Sequence, residues 1–167
     1  MNIYTRKGDS GSTSNLRGQK VSKNDTLMHL IGAADELNSH LGLIKSMFSN
    51  ADSRQFIEQI QTNLMKLMAH VSDNNDEKYF FTDNEVEVLE KEIDKLSENA
   101  QKRFELVLPG KNITEARIHI ARTVARRTER LFVAANENQQ LCRIAGAYLN
   151  RLSDYLFVLS QQEYRTS

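Results

Sequence analysis

Apolar residues recur along most of this chain at alternating steps of three and four, the period of a helix with one buried face. From a cap at Asn24 or Asp25 the line runs through Leu27, Leu30, Ile31, Ala34, Leu37, Leu41 and Ile44. A second line, between about Asp52 and Val71, holds Phe56, Ile60, Leu64, Leu67 and Val71. A third starts at a Thr82 or Asp83 cap and carries Val86, Leu89, Ile93 and Leu96. Two more cover roughly Ile113 to Asn136 and Gln139 to Tyr164. The last has a stripe of Ala145, Leu149, Leu152, Leu156 and Leu159. Strand-like alternation competes only over Phe104 to Leu108.

The pattern predicts an all-α fold, an up-down helical bundle of about five helices, because long helices with short connections pack most simply that way. The single proline, Pro109, leaves the helical stretches unbroken. Residues 1–23 are rich in Gly, Ser, Thr, Lys and Arg and form an irregular N-terminal arm, while residues 24–167 form the bundle, all within one domain. The other non-helical stretch, 100–112, contains the Pro109-Gly110 turn.

Composition narrows the class without naming a function. A length of 167 residues, 40% hydrophobic and 26% charged, suits an ordinary globular domain. One cysteine, Cys142, excludes an internal disulfide framework and a multi-cysteine zinc site. There is no apolar leader after Met1, and the longest apolar run, Tyr155 to Leu159, is too short to span a bilayer. A cytoplasmic location and no membrane partner are the expectations. The 22 basic and 22 acidic residues cancel, which argues against a general nucleic-acid binder. They are nevertheless segregated: residues 1–25 and 113–130 each carry net +3, and residues 73–98 carry net −7.

The basic fourth helix is the first candidate for chemistry. At 100° per residue, Arg122, Arg126 and Arg130 form one stripe, with Glu129 beside Arg122 and Arg127 near the apolar edge. Ile113, Ile120, Val124 and Leu131 define the expected core side. A row of guanidiniums suits phosphate oxygens. The same row also fits a plain surface helix with Glu129 paired to a neighbouring arginine. The second candidate is the arm, where Thr5-Arg6-Lys7-Gly8-Asp9-Ser10-Gly11-Ser12-Thr13-Ser14 supplies backbone N–H groups, hydroxyls and two cations. It is no Walker A loop, and such a segment can equally be a simple tail. Asp35 and Asn38 share a face of the first helix; Asn150 and Asp154 lie off the leucine stripe of the last. His29, His40, His70 and His119 form no Glu-x-x-His or His-x-His pair, so no ligand set for a metal ion is assigned.

Taken together and in order, several segments resemble the PduO-type ATP:cob(I)alamin adenosyltransferases over nearly the whole chain. They are Ile3-Tyr4-Thr5 with Gly8-Asp9 and Gly11, Val21-Ser22-Lys23-Asn24-Asp25, Gly32 with Asp35-Glu36-Leu37-Asn38-Ser39, and Val107-Leu108-Pro109-Gly110. His119 through Arg130 and Tyr148 through Phe157 complete the set. The resemblance implies a helical homotrimer with active sites between subunits, making adenosylcobalamin from ATP and a reduced corrinoid with Mg²⁺. It implies that Thr5, Arg6, Lys7 and Gly8 wrap the triphosphate, with Thr13, Ser14 and Lys23 alongside. Arg126, Arg127, Thr128, Glu129, Arg130 and Asn150 would complete the nucleotide site. Arg122 would pair with Asp35 across the subunit boundary, and Arg126, Arg122 and Asp35 would form the catalytic centre.

In that chemistry cobalt(I) is itself the nucleophile, so no catalytic base is required. The protein positions the reactants, neutralises the departing triphosphate, and holds the corrinoid four-coordinate behind an apolar wall. This sequence departs from the family pattern at Leu106, where phenylalanine is usual, at Lys7, where a small polar residue is usual, and at Lys111, which replaces a glycine. The departures bear on corrinoid handling more than on ATP. The alternative they leave open is a diverged, non-catalytic paralogue that binds nucleotide or corrinoid for regulation or cofactor delivery. A reductase or an adenosylcobalamin-dependent enzyme is the partner the activity implies.

Overall fold

The computed structural model describes residues 4, 6, 8–98 and 107–166. Among them are five long helices: α1 (Thr26–Met47), α2 (Ala51–Ser72), α3 (Asp83–Glu98), α4 (Ile113–Asn136) and α5 (Arg143–Thr166). The first four start where a nearby side chain satisfies free backbone N–H groups. Asp25 accepts from Leu27 N–H at 2.8 Å, and Asn50 accepts from Asp52 N–H at 2.8 Å. Asn112 does the same for Glu115 N–H, also at 2.8 Å. Ahead of α3, the Glu85 carboxylate accepts the Thr82 N–H at 2.9 Å, half of a capping box.

The helices pack in the spatial order α2, α1, α4, α5, α3, so α4 is flanked by α1 and α5. Leu30, Leu37, Leu41, Ile57, Leu64, Leu67, Ile118, Leu149, Leu152 and Leu156 are buried in one continuous core. Burial of each such side chain contributes about 1.5–3 kcal/mol. The acidic α3 fully buries only Leu89, packs Val86, Ile93 and Leu96 partly against the core, and turns most of its carboxylates to water. At Gly146 the backbone of α5 comes so near Phe132 that a Cβ would lie 2.9 Å from its ring, so this close approach requires glycine.

Three expectations need correction. Of the expected core line of α4, Val124 is buried and Leu131 packs partly against the core, but Ile113 is 71% and Ile120 39% exposed; the buried set is Glu115, Ile118, His119, Ala121, Val124, Ala125, Thr128, Phe132 and Ala135. The helix is turned about a quarter turn from the expected setting, because the small residues Ala121, Ala125 and Thr128 let it approach its neighbours closely. The last helix begins at Arg143 rather than near Gln139. Leu141 N–H goes to Asn136 Oδ1 at 2.8 Å and Cys142 N–H to His70 Nε2 at 2.9 Å, which takes both groups out of helical bonding. Finally, the arm contains two short antiparallel strands, β1 (Ser12–Ser14) and β2 (Lys20–Ser22), paired Thr13 to Val21. Three-residue strands are too short for alternation to reveal. Of the Phe104–Leu108 alternation, residues 104–106 lie outside the described residues, and Val107 and Leu108 are not in a strand.

Candidate active site

The β1–β2 hairpin builds the described part of the arm. Gly11 and Gly18 take positive φ values of 80° and 75°, conformations that favour glycine. Lys23 N–H donates to Gly11 O at 2.9 Å. This brings the Lys23 ammonium over Gly8, where a Cβ would stand 3.2 Å from Nζ. Gly8, Thr13, Ser14 and Lys23 are thereby gathered on one small scaffold. Arg6, also at positive φ, lies 5.6 Å from the Tyr4 ring centroid. Thr5 and Lys7 lie outside the described residues.

The hairpin is fastened at its tip. Leu16 N–H donates to Ser72 Oγ at 2.9 Å, Arg17 Nε pairs with Asp73 at 2.6 Å, and Arg17 Nη2 donates to Asn74 Oδ1 at 2.7 Å. The bond from Arg17 holds the Asp73 carboxyl below its ordinary pKa. This clamp at the C-terminal end of α2 was not anticipated from sequence, since no periodic signal links residues so far apart.

On α4, Arg126, Arg127 and Arg130 are exposed and Arg122 is half-buried. Arg127 pairs with Glu36 on α1, both side chains about half exposed. Glu129 does not pair with an arginine of its own helix; Asn150 Nδ2 donates to its Oε1 at 2.9 Å. Asn150 Oδ1 in turn accepts from Arg151, which also pairs with Asp154 and Glu90. The predicted Glu129 and Asn150 therefore meet, one from each of two adjacent helices. A 430 Å³ cleft between α4 and α5 opens beside them, walled by Phe132, Val133 and Gly146. Thr128 differs from its expected role: it is wholly buried and its hydroxyl donates to Val124 O at 3.0 Å, so it offers nothing to a ligand in this chain.

Beneath the stripe runs a polar line that the search for Glu-x-x-His missed, because its spacing is four. Glu115 and His119 face each other at 3.0 Å, and Arg122 Nε donates to His119 Nδ1 at 3.2 Å. The His119 pKa is lowered, with burial the main cause, Glu115 opposing it and Arg122 reinforcing it. Arg122 is also lowered, by burial and then by Arg126, yet a guanidinium stays charged in water at any ordinary pH.

Asp35 is exposed on α1 and its carboxylate has no partner among the described residues. No hydrogen bond or ion pair between described residues joins the hairpin to α4. One chain thus displays two basic surfaces without closing them on each other. Leu106 lies outside the described residues. Among the described residues no cluster of His, Cys, Asp and Glu could hold a metal ion, and no helix is long and apolar enough to cross a membrane. A separate 780 Å³ cavity, bordered by Phe48, Phe56, Glu92 and Tyr155, shares no residue with the arm or the arginine stripe.

A family model described as cobalamin adenosyltransferase matches residues 3–163. A corrinoid adenosyltransferase of Citrobacter freundii is 34% identical over 98% of this chain and 96% of its own length. One from Bacillus subtilis is 34% identical over 96% of this chain and 86% of its own. The chain spans 50% of the length of the Citrobacter freundii corrinoid adenosyltransferase PduO, at 35% identity over 98% of the chain. Among solved structures, a variant PduO-type ATP:corrinoid adenosyltransferase from Lactobacillus reuteri, complexed with cobalamin and ATP, superposes with a TM-score of 0.89 at 30% identity. That match covers 98% of this chain and 94% of the other.

Proposed function

The chain belongs to the cobalamin adenosyltransferase family, and on that premise we propose that it transfers the 5′-deoxyadenosyl group of ATP to cobalt(I) of a reduced corrinoid. The cobalt(I) electron pair forms the cobalt–carbon bond at C5′ as the bond from C5′ to oxygen breaks. The oxygen departs with triphosphate, and no proton needs to be removed. The observation that carries the reading is the pair of basic surfaces described above, the hairpin with Lys23 over Gly8 and the exposed arginines of α4.

Both surfaces suit a polyanion, and both are left open within a single chain. We infer that a homotrimer closes them, the hairpin of one subunit facing α4 of the next. The unpartnered Asp35 carboxylate supports this, since it would meet Arg122 of a neighbouring subunit. Arg126 and Arg130 would take triphosphate oxygens through planar donor forks. Glu129 and Asn150 hold each other at the mouth of the α4–α5 cleft, whose Phe132 and Val133 walls suit a purine. Mg²⁺ would accompany the triphosphate and neutralise part of its charge. A cytoplasmic location belongs to the same proposal, because cobalt(I) survives only where a strong reductant is supplied. A reductase and an adenosylcobalamin-dependent enzyme are the corresponding partners.

The test is an anaerobic assay with chemically reduced cobalamin, ATP and Mg²⁺, following the absorbance of the cobalt–carbon bond. Formation of adenosylcobalamin and triphosphate in equal amounts is expected. ATP binding without bond formation would instead establish the non-catalytic paralogue.

A further inference from the structure

Glu115, His119 and Arg122 occupy one face of α4 at steps of four and three, and the first two are almost fully buried at 0% and 5% exposure. Burying a carboxylate is costly unless its oxygens are bonded. Here Oε2 accepts two backbone N–H groups of the Pro109–Lys111 turn, from Gly110 at 2.8 Å and from Lys111 at 3.2 Å. Oε1 faces His119 Nε2 at 3.0 Å, off the straight geometry of a strong hydrogen bond, and neither atom has another partner among the described residues. The other ring nitrogen, Nδ1, accepts from Arg122 Nε at 3.2 Å.

These directions leave one arrangement of protons. A nitrogen that accepts from a guanidinium carries no hydrogen, so the neutral ring holds its proton on Nε2, pointing toward Glu115. The turn is hydrogen-bonded to the carboxylate, and the arginine reaches it through the ring, whose Nε2 stands 3.0 Å from Oε1 without a formed hydrogen bond. The contact uses only Nε of Arg122 and leaves both Nη groups for an anion. It also fixes the plane of the guanidinium, the property on which a bidentate contact depends. At the other end, the Pro109–Lys111 turn follows Leu108, an apolar side chain 91% exposed.

We propose that Glu115 and His119 are positioning residues: they set the orientation of Arg122 and couple it to the Pro109–Lys111 turn. The line requires a His acceptor for Arg122 and a carboxylate for the turn, and a purely apolar core would supply neither. The kinetic part of the test rests on the adenosyltransferase reading; the spectroscopic part does not.

In protein labelled with ¹⁵N-histidine, His119 should show the neutral tautomer protonated at Nε2. Its Nδ1 resonance should move downfield in Arg122→Met, which has no donor, as the accepted hydrogen bond is lost. In the adenosylation assay, His119→Phe, which removes the acceptor, should lower kcat by about ten- to hundredfold, the scale of one charged hydrogen bond. KM for ATP should stay within about twofold, because Arg126, Arg127 and Arg130, the arginines assigned to ATP, are untouched. His119→Asn, which keeps an acceptor near the Nδ1 position, should recover most of the rate. The double variant with Arg122→Met should be no slower than Arg122→Met alone. A ring protonated at Nδ1, an unmoved Nδ1 resonance, or multiplicative kinetic losses would each overturn the proposal. If His119→Phe fails to fold, the resonance of Arg122→Met and the rate of His119→Asn decide it. A wild-type protein that transfers no adenosyl group would refute the adenosyltransferase reading alone, and the ¹⁵N spectra would still decide the relay.

Discussion

Asn150 on α5 donates to Glu129 on α4 at 2.9 Å, and this bond ties together the two helices that border the α4–α5 cleft. It holds the carboxylate in place beside the exposed arginines. Replacing Asn150 with Asp removes the donor and sets two carboxylates against each other. ATP affinity should fall at least about tenfold, since like charges in contact and a lost charged hydrogen bond act in the same direction. Titration calorimetry with ATP reads the effect, and an unchanged Kd would remove this pair from the nucleotide site.

Arg126 is exposed on the same helix. Arg126→Ala should weaken ATP binding by about 1.5–3 kcal/mol, the value of a hydrogen bond to a charged group. The same calorimetry decides it: equal dissociation constants for variant and wild type would count against a triphosphate contact.

Asp35 has no partner in its own chain among the described residues. If its partner is Arg122 of a neighbouring subunit, Asp35→Asn should loosen the assembly and slow adenosyl transfer together. Sedimentation velocity across a dilution series is the measurement. A variant that stays assembled and active at every concentration would refute the cross-subunit pair.

Glu85 reports on stability rather than catalysis. Burial pushes its carboxyl up, but the bonds from Lys66 and Thr82 outweigh that and bring the pKa down from 4.5 to about 2. A depressed folded pKa stabilises the protein above the unfolded value and ceases to do so as pH falls through the folded one. The difference in Tm between wild type and Glu85→Gln should therefore be full at neutral pH. It should shrink progressively from about pH 4.5 toward pH 2. A difference independent of pH over that window would show that the carboxylate charge is not what stabilises the α2–α3 contact.

By resemblance to the family, where phenylalanine is usual at this position, Leu106 is expected to help exclude the corrinoid's lower ligand. A smaller and less rigid side chain in that role should hold less of the corrinoid four-coordinate. Leu106→Phe should raise the four-coordinate fraction in the absorption spectrum of bound cobalamin; an unchanged spectrum would assign that task to other residues.

Local physics made much of this legible in the chain. Asp25 caps α1 as its side chain and position require, and α4 spans the expected Ile113 to Asn136. The start of α5 was not legible, because Leu141 and Cys142 give their N–H groups to Asn136 and His70 and the chain stays out of the helix there. His70 lies on α2, 72 residues before Cys142, so no window of sequence contains both. The setting of α4 was misjudged for a related reason. Two isoleucines mark an apolar line, but small residues decide how closely helices approach, and Ala121, Ala125 and Thr128 turned the helix toward them.

The sequence by itself determined the five helical segments, the caps of the first and third, the segregation of charge and, through its motifs, the family. These follow from interactions within a few residues or from residue order. The tertiary structure alone decided which distant side chains meet: Arg17 with Asp73, Arg127 with Glu36, and Asn150 with Glu129. Those pairings depend on how far each helix is rotated and how closely it packs. Both are settled by the shared core, where volume must be filled from all helices at once.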